Sequence, residues 1–235
     1  MAQAIEMRFG ALPVLDDVNF VVADGEAVGI VGPNGAGKTT LLNVLSGAMR
    51  PSAGRVTFRG EDVTPLDAAH RCRLGIGRSH QVPRPFSDMT VFENVLVGAS
   101  AGAGRSRSAA NELALGVLRE CALAELANRR AGSLGLLHRK RLELARALAT
   151  DPAVILLDEI GGGLTDLEAA ELVKTLLAIR ERGVSIVWIE HVVHVLVQLV
   201  SRLVCMNAGR VIADGKPETV MQDAAVVDAY LGRRR

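Results

Sequence analysis

Cysteine is scarce: Cys72, Cys121 and Cys205 are the only three, odd in number, widely spaced and without a C-x-x-C pair. That arrangement offers neither a zinc nor a redox motif, so the three are expected as small core residues of a reduced, cytoplasmic protein. An excess of charge of one sign is missing too. The formal net charge is +1, from 27 basic and 26 acidic residues, which removes any global electrostatic case for nucleic acid. Arg233, Arg234 and Arg235 form the one local exception, read as a solvated terminus in preference to a weak contact with anionic lipid. No apolar run is long enough to span a bilayer. The most apolar stretch, 192–204, is interrupted by His194, Gln198, Ser201 and Arg202. The first residues lack the basic-then-apolar pattern of a secretory signal, so any membrane role is expected to come through a partner. No internal repeat is visible.

What is present is organised around Gly32-Pro33-Asn34-Gly35-Ala36-Gly37-Lys38-Thr39-Thr40, a glycine-rich phosphate loop. The apolar run Ala27-Val28-Gly29-Ile30-Val31 precedes it. Leu41, Leu42, Val44, Leu45 and Ala48 follow at helical spacing, so the loop joins a buried strand to a helix. The glycines let backbone N–H groups wrap phosphates where a side chain would clash or forbid the dihedrals. Lys38 supplies a point charge near the β- and γ-phosphates, the Thr39 hydroxyl suits Mg²⁺, and Thr40 with the first helical turn adds a positive dipole end. An accidental match in a chain of this length is about a one-in-a-hundred event, and the flanking strand and helix lower that further. The loop predicts binding of a nucleoside triphosphate.

Nearly half the residues are apolar, and short β-like runs alternate with helical patterns, which predicts an α/β fold. The length suits one domain with subdomains, or two small domains at most. Residues 4–22 carry short apolar runs broken at Gly10 and Pro13. Gly54-Arg55-Val56-Thr57-Phe58-Arg59-Gly60 is a glycine-bounded strand, and together these predict a small antiparallel sheet beside the main one. Phe9, on the first strand, reads more readily as core than as ligand, although an aromatic there could stack on a purine. Residues 74–80 read as a core strand ending in Gln81, 90–98 as a helix capped by Thr90, and 99–108 as a mobile surface loop. Residues 111–129 read as an amphipathic helix with Leu113, Leu115, Val117, Leu118 and Leu123 to pack, and 142–149 as a further helix. The expected organisation is a single domain, with a nucleotide-binding core at 1–85 and 150–235 and a helical subdomain inserted at 86–149.

A second constellation follows. Val154-Ile155-Leu156-Leu157 is an apolar strand ending in Asp158 and Glu159, and the carboxyl ends of parallel strands are where an open sheet binds its ligand. Asp158 can order the hydration shell of Mg²⁺, and Glu159 can orient and polarise an attacking water. By itself a strand ending in Asp-Glu is more often a solvated turn; downstream of an intact phosphate loop the functional reading is preferred. Ser185-Ile186-Val187-Trp188-Ile189 ends in Glu190 and His191. A lone histidine at a strand end is more often structural, but here its end would face the same cleft, where His191 could bond the γ-phosphate and hold water and Glu159 in register. His194 reads as packing or surface. Gln81 is a neutral oxygen donor that could touch Mg²⁺ or water only when the cleft is formed.

Taken in order, Phe9, the loop 32–40, Gln81, the helical insertion, Leu157-Asp158-Glu159 and His191 resemble the ATP-binding-cassette (ABC) ATPase subunits of transporters, over nearly the whole chain. The resemblance implies a P-loop NTPase with a RecA-like, mainly parallel sheet, a small antiparallel β subdomain and an inserted α-helical subdomain. It also implies roles: Phe9 stacks on adenine, the loop is the Walker A motif, Gln81 the Q-loop glutamine, Asp158 and Glu159 the Walker B aspartate and catalytic glutamate, and His191 the switch histidine. ATP with Mg²⁺ would lie between two such subunits, and closure would drive a membrane-embedded partner. Gly75-Ile76-Gly77-Arg78, Asp88-Met89-Thr90-Val91-Phe92-Glu93-Asn94, Arg141-Leu142-Glu143-Leu144-Ala145-Arg146-Ala147-Leu148, Gly163-Leu164-Thr165 and Ala229-Tyr230-Leu231-Gly232 are similar to the branch serving branched-chain amino acid and related amide or urea importers.

The chain departs from that pattern in three places. The L-S-G-G-Q signature, which meets a partner's ATP, falls on Leu134, Gly135, Leu136, Leu137 and His138, without the serine hydroxyl and with a leucine for the second glycine. A register two residues earlier would recover Ser133 and Gly135 but needs an insertion before the helix, so the ungapped register is preferred. Ile160 stands where a proline usually follows the glutamate, and Thr165 where the D-loop usually has aspartate. The expectation is an ATP-hydrolysing, energy-coupling subunit, peripheral on the cytoplasmic face of the inner membrane. Its expected partners are a second ABC ATPase subunit, transmembrane permease subunits and, indirectly, a substrate-binding protein. The alternatives are a soluble non-transport ABC ATPase, an ATP-gated clamp with little hydrolysis and, within transport, an exporter subunit.

Overall fold

The chain opens with a hairpin, β1 (Ala2–Phe9) and β2 (Leu12–Phe20), and then enters β3 (Ala27–Val31), the phosphate loop and α1 (Lys38–Ser46) in the computed structural model, which describes residues 1–231. The basic triplet Arg233, Arg234 and Arg235 lies outside the described residues. Next come β4 (Ala53–Phe58), β5 (Glu61–Asp62), α2 (Ala68–Leu74) and β6 (Ile76–Arg78). A helical stretch holds α3 (Val91–Val97), α4 (Arg107–Glu120) and α5 (Leu136–Leu148). The chain then runs through β7 (Val154–Asp158), α6 (Asp166–Glu181), β8 (Ser185–Ile189), α7 (Val193–Leu196), β9 (Arg202–Asn207), β10 (Arg210–Gly215), α8 (Pro217–Gln222) and α9 (Ala224–Leu231).

Two sheets result. The larger has the order β10-β9-β3-β8-β7-β6, parallel except for β10 at its edge; the smaller is antiparallel, in the order β2-β1-β4-β5. The parallel strands are nearly continuous apolar runs because both faces of the sheet are covered. Alternation along each strand divides the core in two. Ile155, Leu157, Ile186, Trp188, Leu203 and Cys205 face the layer of α5 and α6, whereas Leu156, Val187, Ile189, Val204 and Met206 face α1 and the antiparallel sheet. Because the strands run parallel, the ends of β3, β7 and β8 all emerge on one edge. That edge gathers residues as far apart in sequence as Gly32 and His191.

Several expectations are corrected. Leu74 belongs to α2, which Gly75 terminates by donating its N–H to the Cys72 carbonyl (2.9 Å), so the strand is only β6 and Gln81 lies in the turn beyond it. Of the loop expected at 99–108, only 103–106 is irregular; the rest is helical. A π-helical turn, Gly98–Gly102, continues α3, buries Ala99 and packs so closely on α5 that a Cβ on Gly98 would stand 2.7 Å from the Arg146 carbonyl oxygen. Gly98 and Gly102 are there for close approach, whereas Gly104 lies in the irregular segment. The helix expected at 111–129 is α4, four residues earlier at its start and ending at Glu120, where Ala122 takes a positive φ of 52°. Leu115 faces solvent while Val117, Leu118 and Leu123 pack. The helix expected at 142–149 begins six residues earlier, at Leu136. Thr90 caps α3 with a reciprocal box: its hydroxyl accepts from the Glu93 N–H and the Glu93 carboxylate accepts from the Thr90 N–H. Cys121 and Cys205 are buried, but Cys72 is partly exposed, and Phe9 is 49% exposed, so it is not a core residue.

Candidate active site

The phosphate loop is built around a backbone that excludes side chains. Gly32 has φ 146°, and a Cβ there would meet the Met206 carbonyl oxygen at 2.1 Å, so only glycine lets the strand turn into the loop. Its carbonyl and that of Pro33 accept from Lys38 Nζ at 2.7 and 3.0 Å, which folds the loop over its own buried lysine. Ala36 donates its N–H to the Pro33 carbonyl, Gly37 opens α1, and Asn34 and Gly35 form the exposed crest. Burial lowers the Lys38 pKa, and the carboxylates of Glu159 and Asp158 oppose that shift. An ammonium at the centre of a curl of backbone amides, above a helix N-terminus, fits a polyphosphate.

Gly32 also donates its N–H to the Tyr230 hydroxyl of α9, 2.8 Å away. Tyr230→Phe should leave that buried amide without a partner and loosen the first glycine of the loop. One neutral hydrogen bond is worth ~1 kcal/mol, so ATP affinity should fall about fivefold with turnover at saturation unchanged; titration with a slowly hydrolysed ATP analogue checks this.

The carboxylates come from the end of β7. Asp158 is buried, with Oδ1 accepting from the Thr39 hydroxyl at 3.4 Å and Oδ2 3.6 Å from the Arg78 guanidinium. Burial raises its pKa, and Arg78 beside it pulls the other way. Arg78 is itself held by Asn43 and Ser46 of α1, at 2.5 and 2.9 Å. Thr39 and Asp158 thus bring two hard oxygen donors to one point beside the lysine, a donor set suited to Mg²⁺ completed by phosphate oxygens. Glu159 is gripped on both oxygens: Gln81 Nε2 donates to Oε2 at 2.5 Å, and His191 Nε2 lies 2.7 Å from Oε1. Gln81 therefore meets Glu159, presenting its amide nitrogen there, and does not reach the Thr39–Asp158 pair. Phe9 is exposed at the end of β1. His194 is a surface residue, 3.9 Å from Asp166.

Leu134, Gly135, Leu136, Leu137 and His138 straddle the start of α5. Leu134 is core, Gly135 is the N-cap and supplies no side-chain hydrogen bond, Leu136 is exposed, and Leu137 and His138 are half-buried. The Ser133 hydroxyl is spent on the Arg130 carbonyl (2.8 Å). Ile160 packs in the core, and Thr165 serves as the N-cap of α6 in a box with Glu168. Sequence reasoning missed four contributors: Arg78 and Tyr230, quoted only as subfamily markers, Lys140, which donates to the Glu159 carbonyl at 3.1 Å, and Glu190, which accepts from the Gly161 N–H. Neither Lys140, inside the polar run His138-Arg139-Lys140-Arg141, nor Glu190, beside His191 at a strand end, stands out from its neighbours in the sequence.

Known proteins give this geometry its relatives. Residues 15–161 match the ABC transporter family model, and residues 210–235 match the model for the branched-chain amino acid ATP-binding cassette transporter. The chain is 35% identical over 243 residues to BraF of Pseudomonas aeruginosa, described as a high-affinity branched-chain amino acid transport ATP-binding protein, covering 97% of this chain and 95% of that one. A nucleotide-free ATP-binding cassette from an ABC transporter superposes with a TM-score of 0.90 at 32% identity, covering 99% and 98% of the two chains. A dimeric cassette in a post-hydrolysis state, bound to ADP and Pi, superposes with a TM-score of 0.81 at 26% identity, covering 92% and 97%.

Proposed function

The chain belongs to the ABC transporter family as an ATP-binding, energy-coupling ATPase subunit, and from that premise we propose that it powers the import of branched-chain amino acids or related small amides. The observation that carries the hydrolytic part is the Glu159 carboxylate, held between Gln81 and His191 at the sheet edge where Lys38, Thr39 and Asp158 converge. In this reading the amides of the loop 32–40 and Lys38 bind the phosphates, Phe9 offers its exposed ring to adenine, and Thr39 and Asp158, with Gln81 once it turns, hold Mg²⁺. That ion would neutralise charge developing on the phosphates. Glu159 orients and polarises the attacking water, and His191 holds the carboxylate and bonds the γ-phosphate. Both oxygens of Glu159 are occupied by Gln81 and His191, so one of those grips must slacken before water is accepted. Residues 1–85 and 150–235 act as the nucleotide-binding core and 86–149 as the helical subdomain that moves against it.

The second half of the site comes from another ATPase subunit. Leu136, Leu167 and Val192 are exposed apolar side chains at the starts of three helices, α5, α6 and α7, an arrangement that suits burial against a partner. No helix among the described residues is long and apolar enough to cross a membrane, so attachment to the cytoplasmic face runs through permease subunits, with a substrate-binding protein acting on them from outside. The α5 start carries no hydroxyl, so the signature offered to a partner's ATP is weaker than the Walker side of this chain. A heterodimer would then hydrolyse at one site and hold ATP at the other. Glu159→Gln here should reduce ATPase far more than the matching change in the partner; equal losses would count against this asymmetry.

Purification from membranes with its transmembrane subunits, followed by ATPase stimulated by leucine, isoleucine or valine with the binding protein present, tests the reading. Retention of ribosomes or DNA in place of membrane subunits would end it.

A further inference from the structure

Hydrolysis as described makes no use of Lys140, yet Lys140 is buried to 5% exposure and aimed at the hydrolytic centre. From α5 its Nζ donates to the Glu159 carbonyl oxygen at 3.1 Å. The Glu159 peptide needs such support: it has a φ of 49°, a left-handed conformation unfavourable for a side chain-bearing residue. Its N–H is tied to the Ile189 carbonyl at 2.9 Å, and the Gly162 N–H also donates to its carbonyl, at 3.3 Å. A buried ammonium also needs a counter-charge. Glu190, only 2% exposed, offers one from beyond ion-pair contact, its Oε2 accepting from the Gly161 N–H at 3.1 Å. Burial lowers the Lys140 pKa, and Glu190 is the larger of the two carboxylates opposing that shift. Burial likewise raises the Glu190 pKa, opposed first by the Gly161 and His191 N–H groups and then by Lys140. Glu190 is bonded in sequence to His191, whose ring meets Glu159. Lys140 thus holds the Glu159 backbone while His191 meets its side chain.

We propose that Lys140 is a positioning residue for Glu159, and that through it the state of the α5 start, where a partner's nucleotide would dock, reaches this chain's own base. The inference rests on the reading of Glu159 as that base. Lys140 lies two residues beyond His138, less than one helical turn from the signature stretch, so a tilt of α5 moves both together. A hydrogen bond already at 3.1 Å is lost after a displacement of about half an ångström.

The complex assembled with its permeases decides the matter. Lys140→Met should lower kcat about tenfold with the KM for ATP within about twofold, because the Glu159 backbone loses its grip while the phosphate loop is untouched. Lys140→Arg should recover most of the rate. Wild-type hydrolysis should be cooperative in ATP, and Lys140→Met should bring the Hill coefficient close to one. An unchanged kcat in Lys140→Met, or equal damage to kcat and ATP affinity that Lys140→Arg fails to repair, overturns the positioning role. Retained cooperativity overturns the transmission. Glu159→Gln separates the premises: if it hydrolyses normally, the base assignment falls and this inference with it, whereas an inactive Glu159→Gln beside a fully active Lys140→Met removes the Lys140 inference alone.

Discussion

Glu159→Gln in this chain is expected to lower steady-state ATP hydrolysis about a hundredfold or more while leaving ATP affinity within a fewfold. The amide keeps the size of the carboxylate and can still meet His191, so the site keeps its shape. It cannot accept a proton or polarise water as an anion does, and general-base catalysis of this kind is worth on the order of 10²–10⁴ in rate. The contact with Gln81 also changes character, because Gln81 Nε2 donates to Oε2 and an amide nitrogen placed there would repel it. ATP binding should be spared because Lys38 and the loop amides would reach the phosphates independently of Glu159. Nucleotide binding measured beside single-turnover hydrolysis separates the two effects. Joint loss of binding and turnover would mean that Glu159 supports the fold of the cleft and is not its base.

Lys38→Ala is expected to weaken ATP binding about a hundredfold or more. Lys38 makes two hydrogen bonds in the present geometry, to the Gly32 and Pro33 carbonyls, and those carbonyls belong to the loop that must receive phosphate. With nucleotide bound, the same ammonium would turn to phosphate oxygens, where charge-assisted bonds are worth ~1.5–3 kcal/mol. Alanine removes that gain and the internal clamp together. It also leaves Asp158 and Glu159 facing a polyanion without the ammonium on which their charges act. At about 1.4 kcal/mol per factor of ten, a combined loss of ~3 kcal/mol gives the stated weakening. Equilibrium binding of ATP to the variant, alongside its thermal unfolding, checks it; near-normal affinity would remove the loop 32–40 from the site.

The nucleotide machinery was legible in the sequence because its residue types are dictated locally: glycine where a Cβ has no room, lysine and hydroxyl at fixed offsets, and carboxylates at the end of an apolar strand. Gly32, Lys38, Thr39, Asp158, Glu159 and His191 meet at one edge because the strands carrying them are parallel neighbours. The helical stretch was less legible. Its turn at Gly98–Gly102 uses small residues for close packing, and composition alone cannot separate that from loop chemistry. Leu74 reads as strand because an apolar residue beside a glycine looks alike at a helix end and a strand start. Lys140 and Glu190 were invisible for a different reason: their partners, the Glu159 carbonyl and the Gly161 N–H, reach them only after α5 and the ends of β7 and β8 have come together.

The stretch of helices leaves the sheet after β6 and returns to it before β7, and the chain meets Glu159 near both crossings. On the way out Gln81 holds the side chain; on the way back Lys140 holds the backbone. Anything that swings the stretch must act on both holds, and neither alone fixes where the carboxylate points. If Glu159 is the base, the two holds would work as an interlock. A permease pushing at one crossing and a partner's nucleotide pressing at the other would each have a veto over the same carboxylate, which would keep ATP from being spent by a half-assembled machine.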